Sequence, residues 1–394
     1  MIRKGARNLI TDVDGLRVGQ AEDFAIRTGV TVLLCDKPSA AAADVRGGAP
    51  GMRDVMLDPT SLVGELDAIV LSGGSAFGLD APSGVQAWLR DQGRGFQIAP
   101  GTPRVPIVSG AILFDLANGG NKDWGEMPPY RALGRTAVEA AGEDFVLGNA
   151  GAGLGATAGQ YKGGIGSASS TGDDFTVGAL VAVNSVGSPV VPGTDVFWAF
   201  PFEQDGEFGG RSPQGSLPAM DLDLPADMKG AVQPAGNTTI AIVATDVVLT
   251  RAELQRVAVM AADGFARALR PAHTPFDGDL VFAVSTARRE LAGPRPVGVM
   301  RLGHVAADCL ARAIARGVYE AETLGRQKLP GRIPAGLAHV DPDFAGRRGR
   351  IGRRSDRHPC GRHAHVGHGT QHFLGMVVGG GLRQLHGCCG ASRR

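Results

Sequence analysis

Short apolar runs alternate with segments of helical periodicity from the start of the chain to about residue 330. Residues 30–34, 68–71 and 176–183 are apolar and rich in β-branched side chains, which is typical of strands buried on both faces. Residues 237–245 carry a further strong strand signal. This alternation predicts an α/β fold.

Two helices are predicted after these strands. The first begins at Thr250, where Thr-Arg-Ala-Glu forms a capping box, and it extends to about Leu269. The second covers residues 305–324. The apolar face of the first helix consists of Leu254, Val257, Ala258, Ala261 and Phe265.

Two segments depart from this pattern. Residues 204–236 are rich in Gly, Pro and Asp and have no sustained periodicity, so we expect a surface loop or linker. Residues 340–394 contain ten Arg, three Asp, no Lys and six of the nine His. Because such a segment does not easily bury a core, we expect it to be disordered. Translation out of the ancestral reading frame is an alternative origin for its composition.

Composition and charge narrow the functional classes. Lys plus Arg (40) nearly cancel Asp plus Glu (39), so no global field is present to hold nucleic acid or an anionic membrane. No uninterrupted run of about 18 apolar residues and no signal-peptide-like stretch occurs, and the five cysteines form no disulfide framework. We expect a cytoplasmic protein whose partners are small molecules or other subunits.

The first candidate for chemistry is Thr238. A threonine hydroxyl becomes a useful nucleophile when a base lies beside it, and a terminal threonine carries that base in its own α-amino group. The chain would then have to be cut between Asn237 and Thr238, at the junction of the predicted linker and a buried strand. The alternative interpretation is an ordinary strand entry with a pair of threonines.

Three further positions offer supporting groups. Asp277 and Asp279 project to one face if their segment is extended and would orient the Thr238 amine, although Asp-Gly also indicates a turn. Asn184 ends a buried strand, where its amide either donates to an oxyanion or turns the chain. Lys162, in a Gly-rich segment, either holds an amine neutral, binds a carboxylate or faces solvent.

Taken together, these positions resemble the L-aminopeptidase/D-esterase family, which includes β-aminopeptidases and the 6-aminohexanoate-oligomer endohydrolases called nylon hydrolases. The resemblance runs from about Ile10 to Leu324 and keeps the family's order of motifs. Its blocks are residues 10–19, 44–51, 71–79, 151–153, 162–169, 236–240 and 277–279. The nylon-hydrolase branch is the most similar at Asn-Thr-Thr and Asp-Gly-Asp.

The resemblance implies a fold and a mechanism. The fold is a four-layer αββα sandwich, built from fragments 1–237 and 238–330 of each self-cleaved chain and assembled into oligomers, commonly tetramers. The implied activity is hydrolysis of peptides or amide oligomers, without a metal or cofactor. Thr238 would be the nucleophile, Asn184 the oxyanion donor, Lys162 the catalytic lysine, and Asp277 and Asp279 the groups that position the amine. The implied substrate-binding residues are Ser72, Gly73, Gly74, Ser75 and Phe77.

Two other functions have some support in the sequence. Residues 151–156 follow a predicted strand and read G-x-G-x-x-A, with Asp173 and Asp174 about 20 residues on, as in an NAD-binding oxidoreductase. In residues 340–394, arginines offer contacts to nucleic acid, and a metal ion could be bound by cysteines and histidines without a recognised zinc spacing. These are Cys360, His363, His365, His368, His372, Cys388 and Cys389.

Overall fold

The fold combines one large mixed sheet with helices packed on both of its outer faces. The computed structural model describes residues 2–53, 57–58, 60–217, 223–225, 227–229 and 236–322. Its helices are α1 (Ala81–Asp91), α2 (Tyr130–Glu139), α3 (Arg251–Ala261), α4 (Asp263–Ala268) and α5 (Arg295–Tyr319). Its strands are β1 (Arg3–Lys4), β2 (Leu16–Asp23), β3 (Thr28–Val45), β4 (Met52–Arg53), β5 (Glu65–Ser72), β6 (Val108–Ile112), β7 (Thr157–Ala158), β8 (Tyr161–Lys162), β9 (Ile165–Thr171), β10 (Thr176–Ala182), β11 (Ile240–Val247) and β12 (Leu280–Arg289).

The sheet is continuous through one long strand. Its order is β1-β9-β10-β11-β12-β3-β5-β6-β4, and β2 pairs with the first half of β3. Strand β3 pairs with β5 along residues 30–34 and with β12 along residues 40–45, so it joins two halves of the sheet. Strand β10 runs antiparallel to β11, whereas β11 and β12 are parallel.

Three apolar cores show how the two halves are stacked. Along β11, Ile240 and Ile242 enter a core shared with Leu33 and Ile69 of the other half, whereas the alternate residues of β11 face α3, α4 and α5. Along β3, Val32 instead enters a third core under α1 and α2. The layers therefore follow the order helix, sheet, sheet, helix, and the predicted α/β class is confirmed.

Helix α5 lies directly on β9. Gly166 has no side chain because one there would overlap the carbonyl oxygen of Ala313 on the helix. The same helix carries Arg312, which is fully buried and donates to the Ser169 carbonyl at 3.0 Å and to Asn8 Oδ1 at 2.8 Å. The close approach of main chain and the buried Arg312 thus add to the apolar contact that α5 makes with the sheet.

The helices differ in their bounds from the predicted ones. Helix α5 begins at Arg295, ten residues earlier than predicted, because Pro294 and Pro296 start it while Gly298 and Gly303 obscure its periodicity. The predicted helix from Thr250 to Leu269 is two helices, α3 and α4, with a break at residue 262. The capping box at Thr250 is present as predicted.

The segment predicted as a surface linker has buried side chains near its start. Phe208 is buried, and the Glu207 side chain, which is 4% exposed, accepts from Arg312 Nε at 2.5 Å and from Arg312 Nη2 at 3.0 Å. Sequence composition does not reveal this ion pair, because its partners are 105 residues apart. Residues 340–394, predicted to be disordered or metal-binding, lie outside the described residues. Within the described ranges, no helix has both the length and the apolar character to cross a membrane.

We predict that Arg312→Met lowers the free energy of unfolding by about 3–5 kcal/mol, because it removes the cation that hydrogen-bonds to Glu207 and leaves only Arg316 Nε at 3.8 Å. Although burial raises the pKa of Glu207, the hydrogen bonds and charge of Arg312 outweigh it, and the pKa lies below its ordinary value. The contribution of this carboxylate is therefore present above the unfolded-state pKa and is lost as pH falls through the folded-state pKa. Urea unfolding at several pH values measures both effects. An unfolding midpoint in Arg312→Met equal to that of the unsubstituted chain would contradict the prediction.

Candidate active site

The ends of three neighbouring strands bring four of the five predicted catalytic residues together, and the fifth, Lys162, lies on β8. Ala182, the last residue of β10, pairs with Ile240 at the start of β11. Ile240 pairs in turn with Leu280 at the start of the parallel strand β12. The residues just after β10 therefore lie beside those just before β11 and β12. These are Asn184, residues 237–239 and residues 277–279.

Thr238 is buried at the centre of this junction. Its amide donates to the Asn184 carbonyl oxygen at 2.8 Å, and its hydroxyl donates to the carbonyl oxygen of Asn237. The same Asn237 oxygen accepts from the Gly278 amide at 3.0 Å. A side chain at position 278 would lie 2.6 Å from Thr238 Oγ1, so glycine leaves the space that the hydroxyl fills. Hydrogen bonds thus hold the Asn237–Thr238 peptide bond on both sides.

Thr239 is placed differently. Its amide donates to Asp279 Oδ1 at 2.8 Å, and its side chain is fully buried. Its hydroxyl has no hydrogen-bond partner within the described part of the chain. Of the two adjacent threonines, Thr238 is the one whose hydroxyl contacts the Asn237 carbonyl.

Asp277 and Asp279 are buried together, and neutral main-chain groups anchor each of them. Asp277 accepts from the Val186 amide at 3.0 Å and from the Thr274 hydroxyl at 2.6 Å. Asp279 accepts from the amide of His273 at 3.1 Å and lies 3.0 Å from its ring Nδ1. Burial, and then the charge of Asp279, raise the pKa of Asp277. A turn at residues 275–276 precedes the pair, and Asp277 itself bridges to Asn237 in extended conformation.

Asn184 touches several parts of the junction. Its side-chain Nδ2 donates to the Phe114 carbonyl at 3.1 Å, and its Oδ1 accepts from the Thr157 amide at 3.0 Å. Its main-chain oxygen holds Thr238. In this uncleaved chain, the Asn237 carbonyl accepts from the Gly278 amide and the Thr238 hydroxyl and not from Asn184, and one N–H of Asn184 Nδ2 is not used by Phe114.

Lys162 lies on β8, and its ammonium donates to the carbonyl oxygens of Gly153 at 2.8 Å and Gly163 at 2.6 Å. Burial lowers the pKa of Lys162 to about 7, opposed by the charge of Asp115 and assisted by that of Lys229. The prediction that Lys162 faces solvent is therefore wrong, since the side chain is 6% exposed.

Lys229 is a charged group that sequence reasoning missed. Its ammonium donates to Asn184 Oδ1 at 3.1 Å and to the Asn184 carbonyl at 3.3 Å. Burial lowers the pKa of Lys229 to about 7, against the charges of Asp277 and Asp279. One sequence feature could have drawn attention to Lys229. It is the sole lysine in residues 163–327, and it lies eight residues before Asn237.

The predicted substrate-binding segment follows β5. Ser72 and Gly73 are buried, the Gly74 amide donates to Asp115 Oδ1 at 2.8 Å, and Gly74 and Ser75 both have positive φ. Phe77 is half exposed and makes an edge-to-face contact with Trp124, with ring centroids 5.7 Å apart. Because Asp115 follows Phe114, the segment and Asn184 are held by adjacent residues.

The α-helix that a dinucleotide-binding motif requires does not follow Gly151. A dinucleotide-binding loop opens an α-helix whose N-terminus holds the pyrophosphate. Here Gly151–Gly153 form one turn of 3-10 helix, and the chain continues into the hairpin of β7 and β8. The glycines instead bring the loop close to its neighbours, since a side chain at Gly153 would overlap the main chain of Ile165.

Solved structures with similar folds include the following two. A crystal structure of a protein from Pyrococcus horikoshii OT3 has a TM-score of 0.61 and 25% identity, covering 86% of this chain and 93% of that one. The L-aminopeptidase D-Ala-esterase/amidase from Ochrobactrum anthropi, described as a variant of the Ntn hydrolase fold, has a TM-score of 0.60 and 21% identity, covering 86% and 92%.

Curated relatives are similar to this chain in sequence. An uncharacterized aminopeptidase of Mycobacterium tuberculosis (strain ATCC 25618 / H37Rv) is 42% identical over 336 residues, covering 80% of this chain and 94% of the relative. A 6-aminohexanoate-oligomer endohydrolase of Kocuria sp. (strain KY2) is 30% identical over 328 residues, covering 79% and 86%. The family model described as peptidase family S58 matches residues 8–329. The chain is a hydrolase of peptide or amide bonds, and it belongs to peptidase family S58.

Proposed function

We propose that this hydrolase cleaves its own Asn237–Thr238 bond and then uses Thr238 as an N-terminal nucleophile. One observation carries the proposal: the Asn237 carbonyl oxygen accepts from both the Thr238 hydroxyl and the Gly278 amide. The hydroxyl therefore lies against the group that it would attack. The amide is the kind of preorganised donor that stabilises a developing oxyanion.

Cleavage proceeds in two steps. Thr238 Oγ1 attacks the Asn237 carbonyl carbon, the C–N bond breaks, and the hydroxyl proton passes to the departing nitrogen. An ester between Asn237 and Thr238 results, with a free α-amine on Thr238. Water then opens the ester, leaving a carboxylate at Asn237 and restoring the hydroxyl. During the attack, negative charge on the Asn237 oxygen is stabilised by the Gly278 amide.

The freed amine supplies the base for catalysis. It stays beside the Asn184 carbonyl, and its unperturbed pKa of about 7.7–8.0 suits proton transfer near neutral pH. The hydroxyl attacks the substrate carbonyl carbon, the substrate amine leaves with a proton, and water releases the acyl group. Asp277 and Asp279 position the amine and stabilise its protonated form, while the unused N–H of Asn184 serves the substrate oxyanion. Lys162, with a pKa near 7, is the candidate catalytic lysine.

The substrate class follows from relatives and from the segment after β5. Relatives named aminopeptidase and 6-aminohexanoate-oligomer endohydrolase support peptides or amide oligomers as substrates. Ser72, Gly73, Gly74, Ser75 and Phe77 are proposed to line the substrate site. The fragments, residues 1–237 and 238 onward, would remain associated because β11 pairs with β10 across the cut, and we propose that cleaved protomers assemble into oligomers, commonly tetramers.

The purified protein is expected to appear as two fragments, with the smaller one beginning at Thr238. Size-exclusion chromatography should show them eluting together, and intact mass with N-terminal sequencing should locate the cut. A fully active preparation that contains only the intact chain would overturn the proposal, as would a fragment that begins at Thr239.

Substitutions of the two threonines should separate their roles. Thr238→Ala should abolish both cleavage and hydrolysis, and Thr238→Ser should retain part of each, because it keeps the hydroxyl and the future amine. Thr239→Val should leave cleavage intact and cost mainly packing, since the Thr239 hydroxyl lacks a partner among the described residues. Cleavage is followed by gel densitometry and activity by release of amine. Loss of cleavage in a folded Thr239→Val protein would contradict this assignment.

Removal of one carboxylate should slow hydrolysis by about 10²–10⁴-fold, the usual contribution of general acid-base catalysis. Because the charge of Asp279 helps to raise the pKa of Asp277, Asp279→Asn should lower that pKa. The acid limb of the residual kcat/KM against pH should therefore move to lower pH. An acid limb that stays in place, or moves to higher pH, would argue against electrostatic coupling of the pair.

A further inference from the structure

The uncleaved site holds a cation that the proposed mechanism does not use. The ammonium of Lys229 donates to the main-chain oxygen of Asn184 at 3.3 Å. That oxygen also accepts from the Thr238 amide at 2.8 Å. Lys229 Nζ therefore lies beside the nitrogen that cleavage would convert into an amine, and the two nitrogens share one acceptor.

Main-chain contacts fix the position of Lys229. Its amide donates to the Val186 carbonyl at 3.0 Å, while the Val186 amide donates to Asp277 Oδ1 at 3.0 Å. The Asp227 carbonyl, two residues earlier, accepts from the Gln160 amide at 3.2 Å. The segment that carries Lys229 is thus hydrogen-bonded to the same loop that anchors Asp277.

The position of the Lys229 ammonium matters because of the charges around Asp277 and Asp279. In the part of the chain that the structure describes, neither Asp277 nor Asp279 forms an ion pair with a lysine or an arginine, and His273 contacts Asp279. The charges of both carboxylates nevertheless raise the pKa of Lys229, against the larger effect of its burial. The charge of Lys229 in turn lowers the pKa of Lys162. Before cleavage the Thr238 nitrogen is a neutral amide, so the Lys229 ammonium is the positive charge at the Asn184 carbonyl oxygen that both nitrogens share.

Cleavage changes this balance. The new α-amine of Thr238 is largely protonated below its pKa of about 7.7–8.0, and two ammonium groups at one acceptor repel each other. Thr238 is held by β11, which follows directly after it, whereas Lys229 now lies eight residues from a new chain end at Asn237. Because a strand fixes Thr238, we expect the Lys229 side chain to move away, while its hydrogen-bonded main chain stays in place.

We propose that Lys229 is a positioning residue of the uncleaved state, whose ammonium occupies the place beside the Asn184 carbonyl oxygen until the new Thr238 ammonium displaces it. This inference rests on the proposed self-cleavage and assigns the site a charge exchange at maturation. The ammonium of Lys229 is thus a temporary occupant of the position that the terminal ammonium takes later.

The first test is the pH dependence of cleavage in freshly synthesised chains, followed from pH 5.5 to 9 by gel densitometry. Lys229→Met should slow cleavage about tenfold at pH 7 and move the acid limb to higher pH by about one unit, because the carboxylates lose a nearby positive charge. Lys229→Arg should restore the position of the limb. Lys4→Met is the matched control, since Lys4 pairs with a different carboxylate, Asp205, at 2.6 Å. A purely structural role would slow Lys229→Met equally at every pH without rescue by arginine, and that result would overturn the proposal.

A second test leaves Lys229 in place, so it does not depend on the folding of a Lys229 variant. Amine acetylation followed by peptide mass spectrometry compares the cleaved protein with uncleaved Thr238→Ala. Lys229 should react about tenfold faster after cleavage, whereas Lys162 should stay protected in both forms because carbonyls of β8 and its neighbours hold it. Equal protection of Lys229 in the two forms would refute the displacement.

The two hypotheses fail in different ways. An unsubstituted chain that is never cut at Asn237–Thr238 would refute the proposed function and this inference with it. A chain that is cut normally, but whose Lys229→Met variant keeps the original pH profile, would refute the role of Lys229 alone.

Discussion

The hydrogen bond from the Thr238 amide to the Asn184 carbonyl is the contact on which the rest of the site depends. It extends the pairing of β10 and β11 by one step beyond the last strand residues, so the sheet itself sets the position of the nucleophile. A slip of one residue in this register would exchange the faces of Thr238 and Thr239. The hydroxyl beside the Asn237 carbonyl would then belong to the wrong residue.

A second constraint is the low polarity of the junction. Asp277, Asp279 and Lys162 are buried and Lys229 is partly buried, and burial raises the pKa of Asp277 while it lowers the pKa of both lysines to about 7. Ionisable groups are rarely buried in this number for stability, because desolvation offsets much of their attraction. Such clustering is typical of sites where protons are transferred. The fold tolerates it because main-chain amides satisfy the carboxylates.

The sequence was sufficient for the parts of the fold that depend on local pattern. Apolar β-branched runs located β5 and β10, and the Asn-Thr-Thr and Asp-Gly-Asp blocks located residues that the sheet brings together. Strand β3 proved longer than predicted, because Asp36, Lys37 and Pro38 interrupt its apolar pattern where its register shifts. Glu207 and Lys229 were missed for a different reason: their roles depend on Arg312 and Asn184, which are distant in sequence. Composition alone assigns both to a linker.

The strand order has a consequence for how a cut chain would behave. Strands β11 and β12, which follow the proposed cut, lie between β10 and β3, which precede it. Helix α5, also downstream, lies on β9. The fragments would therefore be interleaved through the middle of the molecule instead of meeting at an edge. Unfolding would become a dissociation, so the melting temperature of the processed form would depend on protein concentration, unlike that of its single-chain precursor. The precursor would thus fold as one continuous chain. After cleavage and denaturation, the same structure would have to reassemble from two fragments.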